Sequence, residues 1–155
     1  MSAQESTSVE NQTIDSVLRS SRALLALAIR SLTVIDVDLS LVQYRSLVYV
    51  AQHPNCTVGE LAESLGVAHP TVTRLCDRLI VKGLLLRKHS EKDRRRVELL
   101  VSEKAVDALA TVTRNRKAEI ARVLAKIPKT KWEEVVNALD LISEATSETK
   151  ERTWY

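Results

Sequence analysis

All three glycines of this 155-residue chain, Gly59, Gly66 and Gly83, fall in one central stretch. Glycine and proline interrupt helices most readily, glycine by its freedom and proline by its missing N–H. Outside that stretch the main breaker is Pro128. The flanks are therefore expected to be long helices, and the sharp changes of direction belong to the middle. Phe is absent and aromatic residues make up only 3%, so the core must be built from Leu, Val, Ile and Ala. At 45% hydrophobic and 28% charged, the chain has the balance of a globular protein.

The N-terminal residues 1–12 are rich in Ser, Gln and Glu and are expected to form a disordered tail. They lack a basic stretch followed by an apolar one, so no signal peptide is expected. No apolar run approaches the roughly 20 residues a membrane span needs. These features point to a cytoplasmic protein with no membrane partner.

From Thr13 the apolar residues Ile14, Val17, Leu18, Leu24, Leu25, Ala28 and Leu32 recur at helical spacing and predict a first helix. Ser40-Leu-Val-Gln43 is a capping box opening a second helix, which His53-Pro54 ends. Thr57-Val-Gly-Glu60 is another box, opening a third helix that Gly66 closes in the left-handed conformation. A fourth helix starts near Pro70, which the first turn tolerates, and Gly83 closes it. Val72, Leu75, Cys76 and Leu79 are its inward stripe. Two apolar runs, Leu84–Lys88 and Val97–Val101, flank a charged loop and predict a hairpin. Ser102 caps a long fifth helix broken at Pro128. Thr130-Lys-Trp-Glu133 predicts a capped last helix carrying Trp132, Val135, Val136, Leu139 and Ile142. Residues 147–155 form a polar C-terminal tail.

The charge is distributed unevenly. From His69 to Arg96 nine Lys and Arg stand against three Asp and Glu. A focused positive segment suits a polyanion. It coincides with two helices joined by a short turn at Gly66-Val67-Ala68, a helix-turn-helix, followed by a hairpin that serves as a wing. The fourth helix presents Pro70, Arg74, Asp77 and Val81 outward, flanked by His69, Thr71, Thr73, Arg78 and Lys82. Arginine can chelate guanine or grip phosphate, and threonine can reach phosphate or thymine methyls. The wing adds Arg87, Lys88, Lys92, Arg94, Arg95 and Arg96, and arginine suits a narrow minor groove. The residues thus point to double-stranded DNA. A solvated amphipathic helix is the bland alternative, and a winged helix used for protein–protein contact is the rival reading.

Three stretches make the chain resemble the multiple antibiotic resistance regulator (MarR) family of bacterial transcription factors. They are Thr57-Val-Gly-Glu-Leu-Ala-Glu-Ser-Leu-Gly66, Thr71-Val-Thr-Arg-Leu-Cys-Asp-Arg-Leu79 with Lys82-Gly-Leu84, and Asp93-Arg-Arg-Arg-Val-Glu-Leu-Leu-Val-Ser102. The resemblance spans roughly residues 13 to 145. It implies a mostly α fold with a small β-hairpin wing, in which residues 39–101 form the winged helix-turn-helix DNA-binding domain. Residues 13–38 and 102–146 would form a helical dimerisation domain. It implies a homodimeric, ligand-responsive repressor on pseudo-palindromic operators, and the apolar stripes of the first, fifth and last helices, more than one small domain can cover, put Ile14, Val17, Leu18, Leu139 and Ile142 at the expected dimer interface. It also implies that Asp93 and Arg95 pair to shape the wing. A small, often aromatic, anionic effector would bind near Arg22, Tyr44, Tyr49 and His53. One departure is Ala68, where the family often has a capping Ser.

Other chemistries find little support. Cys56 and Cys76 are the only cysteines. Cys76 falls on the buried stripe, whereas Cys56 precedes a helix and leaves a cysteine-based redox regulator as an alternative. Peroxide-sensing members of the family carry a cysteine in the first helix, and this chain has none there. His53, Cys56, His69 and His89 lack the paired spacing of a metal site. The chain has no phosphate loop, nucleophile elbow or zincin pattern, so neither enzyme activity, metal nor cofactor is expected.

Overall fold

The computed structural model describes residues 3–90, 93, 95–146 and 148. Among these the order is α1 (Ala3–Leu32), α2 (Leu41–Gln52), α3 (Val58–Leu65), α4 (His69–Val81), β1 (Leu85–His89), β2 (Val97–Val101), α5 (Glu103–Leu124), a 3₁₀ turn (Lys129–Lys131) and α6 (Trp132–Ala145). Lys92 and Arg94 lie outside the described residues, as does most of the C-terminal tail.

Local chemistry sets most boundaries. Ser40 accepts from the Gln43 amide at 3.2 Å while Gln43 Oε1 accepts from the Ser40 amide at 3.0 Å. Thr57 and Glu60 make the same reciprocal pair at the start of α3. Gly66 closes α3 at φ 62°, and the Val67 amide reaches back to the Ala62 carbonyl at 3.1 Å. Gly83 at φ 71° ends α4 in the same way, with the Leu84 amide on the Leu79 carbonyl. Both glycines sit where an L side chain would be strained. Ser102 caps α5 by accepting from the Ala105 amide at 3.1 Å.

The two strands pair antiparallel, with Leu85 opposite Val101, Arg87 opposite Leu99 and His89 opposite Val97. A third segment joins them: the Leu99 amide donates to the Cys56 carbonyl at 2.8 Å. The core gathers Leu47, Leu61, Leu79, Leu84, Leu85 and Leu99, all fully buried, with Val50, Val72 and Cys76. Burying each such leucine stabilises the fold by about 1.5–3 kcal/mol. Leu109 and Val112 of α5 complete this nucleus.

Two expectations fail. Residues 3–12 are not a disordered tail, because α1 begins at Ala3. The segment has no Gly or Pro, and extending an existing helix fixes one residue per hydrogen bond gained. The Thr13 and Ser16 hydroxyls bond back to the Val9 and Gln12 carbonyls. The Thr130 capping box does not form either. The chain enters α6 through the 3₁₀ turn after Pro128, and Lys131 stands at the cap with no side-chain hydrogen bond. The stripe on α1 also behaves differently from a core stripe. Among the described residues of α1 Leu27 and Ser31 are the buried ones, whereas Ile14, Val17, Leu18, Leu24 and Leu25 stay 42–51% exposed.

Ala68 stands at the N-cap of α4 and supplies no side-chain bond. Its φ of −58° and ψ of 136° are extended, a backbone that a capping serine adopts readily. Ala68→Ser should therefore stabilise the fold by about 1 kcal/mol. Thermal denaturation should show the midpoint rising by about 2–4 °C.

Candidate nucleic-acid interface

Helix α4 is divided by its burial. Val72, Cys76 and Leu79 are at most 1% exposed, which fixes the helix rotation on the core. His69, Pro70, Thr71, Arg74, Asp77, Arg78 and Val81 are exposed, and Thr73 is partly so. The Thr73 hydroxyl donates to the His69 carbonyl at 3.0 Å, so it serves its own helix. Arg74 stays on its own helix too, with Nε 3.5 Å from the Pro70 carbonyl. Arg78 flanks a notch of about 250 Å³ shared with Ser40, Gln43, Thr71 and Arg74.

Acidic residues near this face are matched by specific cations. Asp77 meets Arg87 of β1 at 2.8 Å. Glu60 meets Arg96 of the wing at 3.2 Å, while its other duty is the capping box. Hydrogen bonds from Thr57, reinforced by Arg96, hold the Glu60 carboxyl below its ordinary value. Lys82 donates to the Asp38 carbonyl and lies 3.3 Å from Gln43 Oε1. Among the described residues Arg74, Arg78 and Arg95 form no ion pair and remain exposed.

Of the expected DNA-facing set, the structure brings His69, Pro70, Thr71, Arg74 and Arg78 onto one open face. Arg96 and Lys82 are engaged by other parts of the chain: one ties the wing to α3, the other ties the end of α4 to the α1–α2 connection. Their cationic character gave no hint of this, because each acidic partner is distant in sequence. Asp93 meets the backbone of the wing turn: its Oδ1 accepts from the Arg95 amide at 2.9 Å, and its carbonyl accepts from the Arg96 amide at 2.9 Å. The Arg95 guanidinium is left out of this turn.

A solvent-facing basic helix, preceded by a tight turn and followed by a wing, is a DNA-reading arrangement. Comparison with known proteins agrees. The pattern described as the MarR family matches residues 37–96. Through this segment the chain is similar to the MarR family. It is similar to the uncharacterized HTH-type transcriptional regulator YfiV of Bacillus subtilis, 28% identical over 113 residues, covering 73% of this chain and 71% of YfiV. The RV1404 crystal structure from Mycobacterium tuberculosis superposes with a TM-score of 0.85 at 29% identity, covering 92% of this chain and 97% of that one. The fold also recurs in Streptococcus pneumoniae FabT in complex with DNA, with a TM-score of 0.72 at 22% identity over 90% and 99% of the two chains. The curated relatives it matches are HTH-type transcription regulators.

The chain also has a half-open pocket of about 550 Å³ between α1, α2, α3 and α5. Tyr44 lines it, as the sequence expects, together with Arg45 and Arg116. Arg22 is exposed and does not line it. Tyr49 and His53 instead border an adjoining cleft of about 270 Å³. Their rings stack at 4.2 Å, and His53 Nδ1 lies 3.0 Å from the Tyr49 carbonyl. Sequence reading missed Arg116, whose signal was a lone basic residue four after Val112 and seven after Leu109, on the inward stripe of α5.

Both cysteines are buried, and burial pushes each thiol up to about 11. At neutral pH both are thiols, so neither supplies the thiolate a redox switch uses. Among the described residues no three His, Cys, Asp or Glu side chains gather as a metal site.

The wing turn gives a direct test. Arg95→Ala should leave the turn intact and weaken duplex binding through lost charge, flattening the salt slope by about one unit. Asp93→Ala should also weaken binding, although it removes a negative charge, because the turn loses its side-chain acceptor. Fluorescence anisotropy with a labelled duplex across several salt concentrations checks both variants. Tighter binding by Asp93→Ala would mean that net charge, not turn geometry, governs the wing.

Proposed function

We propose that this chain is a ligand-responsive repressor that binds pseudo-palindromic double-stranded DNA as a homodimer, in the cytoplasm. The observation that carries this reading is the pairing of two exposed surfaces. One is the cationic face of α4 beside the wing. The other is a set of apolar side chains that the single chain leaves in water: Ile14, Val17 and Leu18 on α1, with Leu139 and Ile142 on α6, each 42–51% exposed. Helix α6 buries no residue at all. An amphipathic helix with its apolar side uncovered needs a partner, and a second copy supplies the same faces by two-fold symmetry. Residues 13–38 and 102–146 then form the dimerisation part, and residues 39–101 the DNA-binding part.

In this reading the N-terminal half of α4 enters the major groove, and Arg95 approaches the minor groove. Thr71 and Arg74 face bases, with His69 and Pro70 at the groove entry, while Thr73 braces the helix. Arg78, a turn further along and next to Ser40, grips phosphate. Lys92 and Arg94 belong to the wing's share of backbone charge. The cavity with Tyr44, Arg45 and Arg116 is the effector site for a small anionic molecule with an apolar, often aromatic, body, and Tyr49 and His53 stand at its margin. A protein–protein role for the winged helix would leave the unpaired Arg74 and Arg78 without a purpose.

The division of labour on DNA can be measured. Arg74→Ala should lose discrimination at one base position by about 1–3 kcal/mol. Arg78→Ala should weaken binding to all sequences alike and reduce the salt slope by about one unit. Titration against a panel of single-base operator variants at several salt concentrations separates the two. Position-specific loss for Arg78→Ala with uniform loss for Arg74→Ala would reverse the assignment, and no effect from either would place this face outside the groove.

A further inference from the structure

The pocket between α1, α2, α3 and α5 is apolar along most of its wall, with Leu25, Ala28, Val48 and Leu65 among its lining. Two guanidinium groups interrupt that wall. Arg116 is held from two sides: Nε donates to the Ser31 hydroxyl at 3.3 Å, and its guanidinium carbon lies 4.9 Å from the Tyr44 ring centre. Its Nη2 is buried and makes no hydrogen bond among the described residues. Arg45 is in the opposite condition. It donates to both carboxylate oxygens of Glu148, from Nη1 at 2.9 Å and from Nη2 at 2.6 Å. Glu148 comes from just past α6, where its amide donates to the Ser143 carbonyl at 2.9 Å.

A buried N–H without an acceptor costs free energy until one arrives. A bidentate arginine–carboxylate pair is also the geometry that a ligand carboxylate adopts. The pocket is therefore lined by one arginine with an unmet donor and by one whose donors are already matched by the chain's own anion. Resting on the reading of this cavity as the effector site, we propose that Glu148 is a tethered competitor for the effector's anionic group. An anionic, largely apolar molecule that enters displaces Glu148 from Arg45 and releases the end of α6 from α2.

The consequence reaches the DNA-binding face through α2. The N-terminal turn of α2 touches the end of α4, because Gln43 Oε1 lies 3.3 Å from Lys82 Nζ. The C-terminal end of α6 is fastened to the middle of the same helix by Arg45. Exchange of one carboxylate for another at Arg45 thus acts on the element that joins the recognition helix to the proposed dimer helix. The Arg45–Glu148 pair is about half exposed, at 49% and 40% of the two side chains. Exposed pairs are weak, so the competition is gentle enough for a small ligand to win.

The test uses the full-length protein with 1-naphthoate as the anionic probe and 1-naphthamide as its neutral counterpart, titrated by calorimetry. Glu148→Gln should tighten 1-naphthoate binding by about two- to five-fold and leave 1-naphthamide unchanged. Arg116→Gln should weaken 1-naphthoate binding by about ten-fold or more. If Arg116→Gln weakens binding but Glu148→Gln does not tighten it, the cavity takes the ligand and the competitor role is wrong. If 1-naphthoate does not bind the wild type, or Arg116→Gln leaves its affinity unchanged, the effector-site reading fails and the proposal fails with it. Equal tightening of both probes by Glu148→Gln would also overturn the proposal, because steric opening, not anion exchange, would then explain it.

Discussion

The packing of α4 onto the leucine nucleus is the constraint on which the rest depends. Leu47 of α2, Leu61 of α3, Leu79 of α4, Leu85 of β1, Leu99 of β2 and Leu109 of α5 are all at most 1% exposed. Each comes from a different element, so the nucleus fixes six segments at once. A helix whose inner stripe is Val72, Cys76 and Leu79 has no freedom to rotate without exposing it. The outward position of Arg74 and Arg78 follows from that burial and not from any contact of their own. Protein interiors are packed densely enough that such an orientation is held firmly.

Polar contacts then aim the wing. The Leu99 amide and the Cys56 carbonyl pin β2 beside the start of α3. Arg96 to Glu60 and Arg87 to Asp77 fasten the hairpin to α3 and α4. Both ion pairs are partly exposed and each contributes little stability. Their effect is geometric, and it has an electrostatic by-product: the acids nearest the DNA-facing surface have their charge countered by arginines that are not the ones proposed to meet DNA. Glu60 stays ionised until pH falls through its lowered value, so this fastening holds above the ordinary carboxylate range and loosens only in acid.

Much of the fold was legible because local signals and global packing agree. Ser40, Thr57 and Ser102 cap the helices their sequences announce, and Gly66 and Gly83 turn where only glycine turns easily. The failures come from places where context decides. Thr130 has the right neighbours for a cap, yet Pro128 directs the chain into a 3₁₀ turn first. Residues 3–12 have a disordered composition but continue a helix already nucleated. At the site, the open face of α4 could be read from periodicity. The engagement of Lys82 and Arg96 with other parts of the chain could not, because Asp38 and Glu60 lie 44 and 36 residues away along the chain. Arg116 was readable in principle as a charge on an apolar stripe, but its companion Glu148 was not.

The central claim is that the apolar faces of α1 and α6 are the seam of a two-fold dimer that sets two recognition helices one DNA turn apart. Sedimentation equilibrium of the protein alone, and then with a duplex carrying two inverted half-sites, measures this most directly. A two-fold dimer gives a dimer at micromolar concentration, two chains per duplex, and loss of binding when the half-sites are moved apart by about five base pairs, half a helical turn. A stable folded monomer that binds one half-site per chain, indifferent to the spacing, would contradict it.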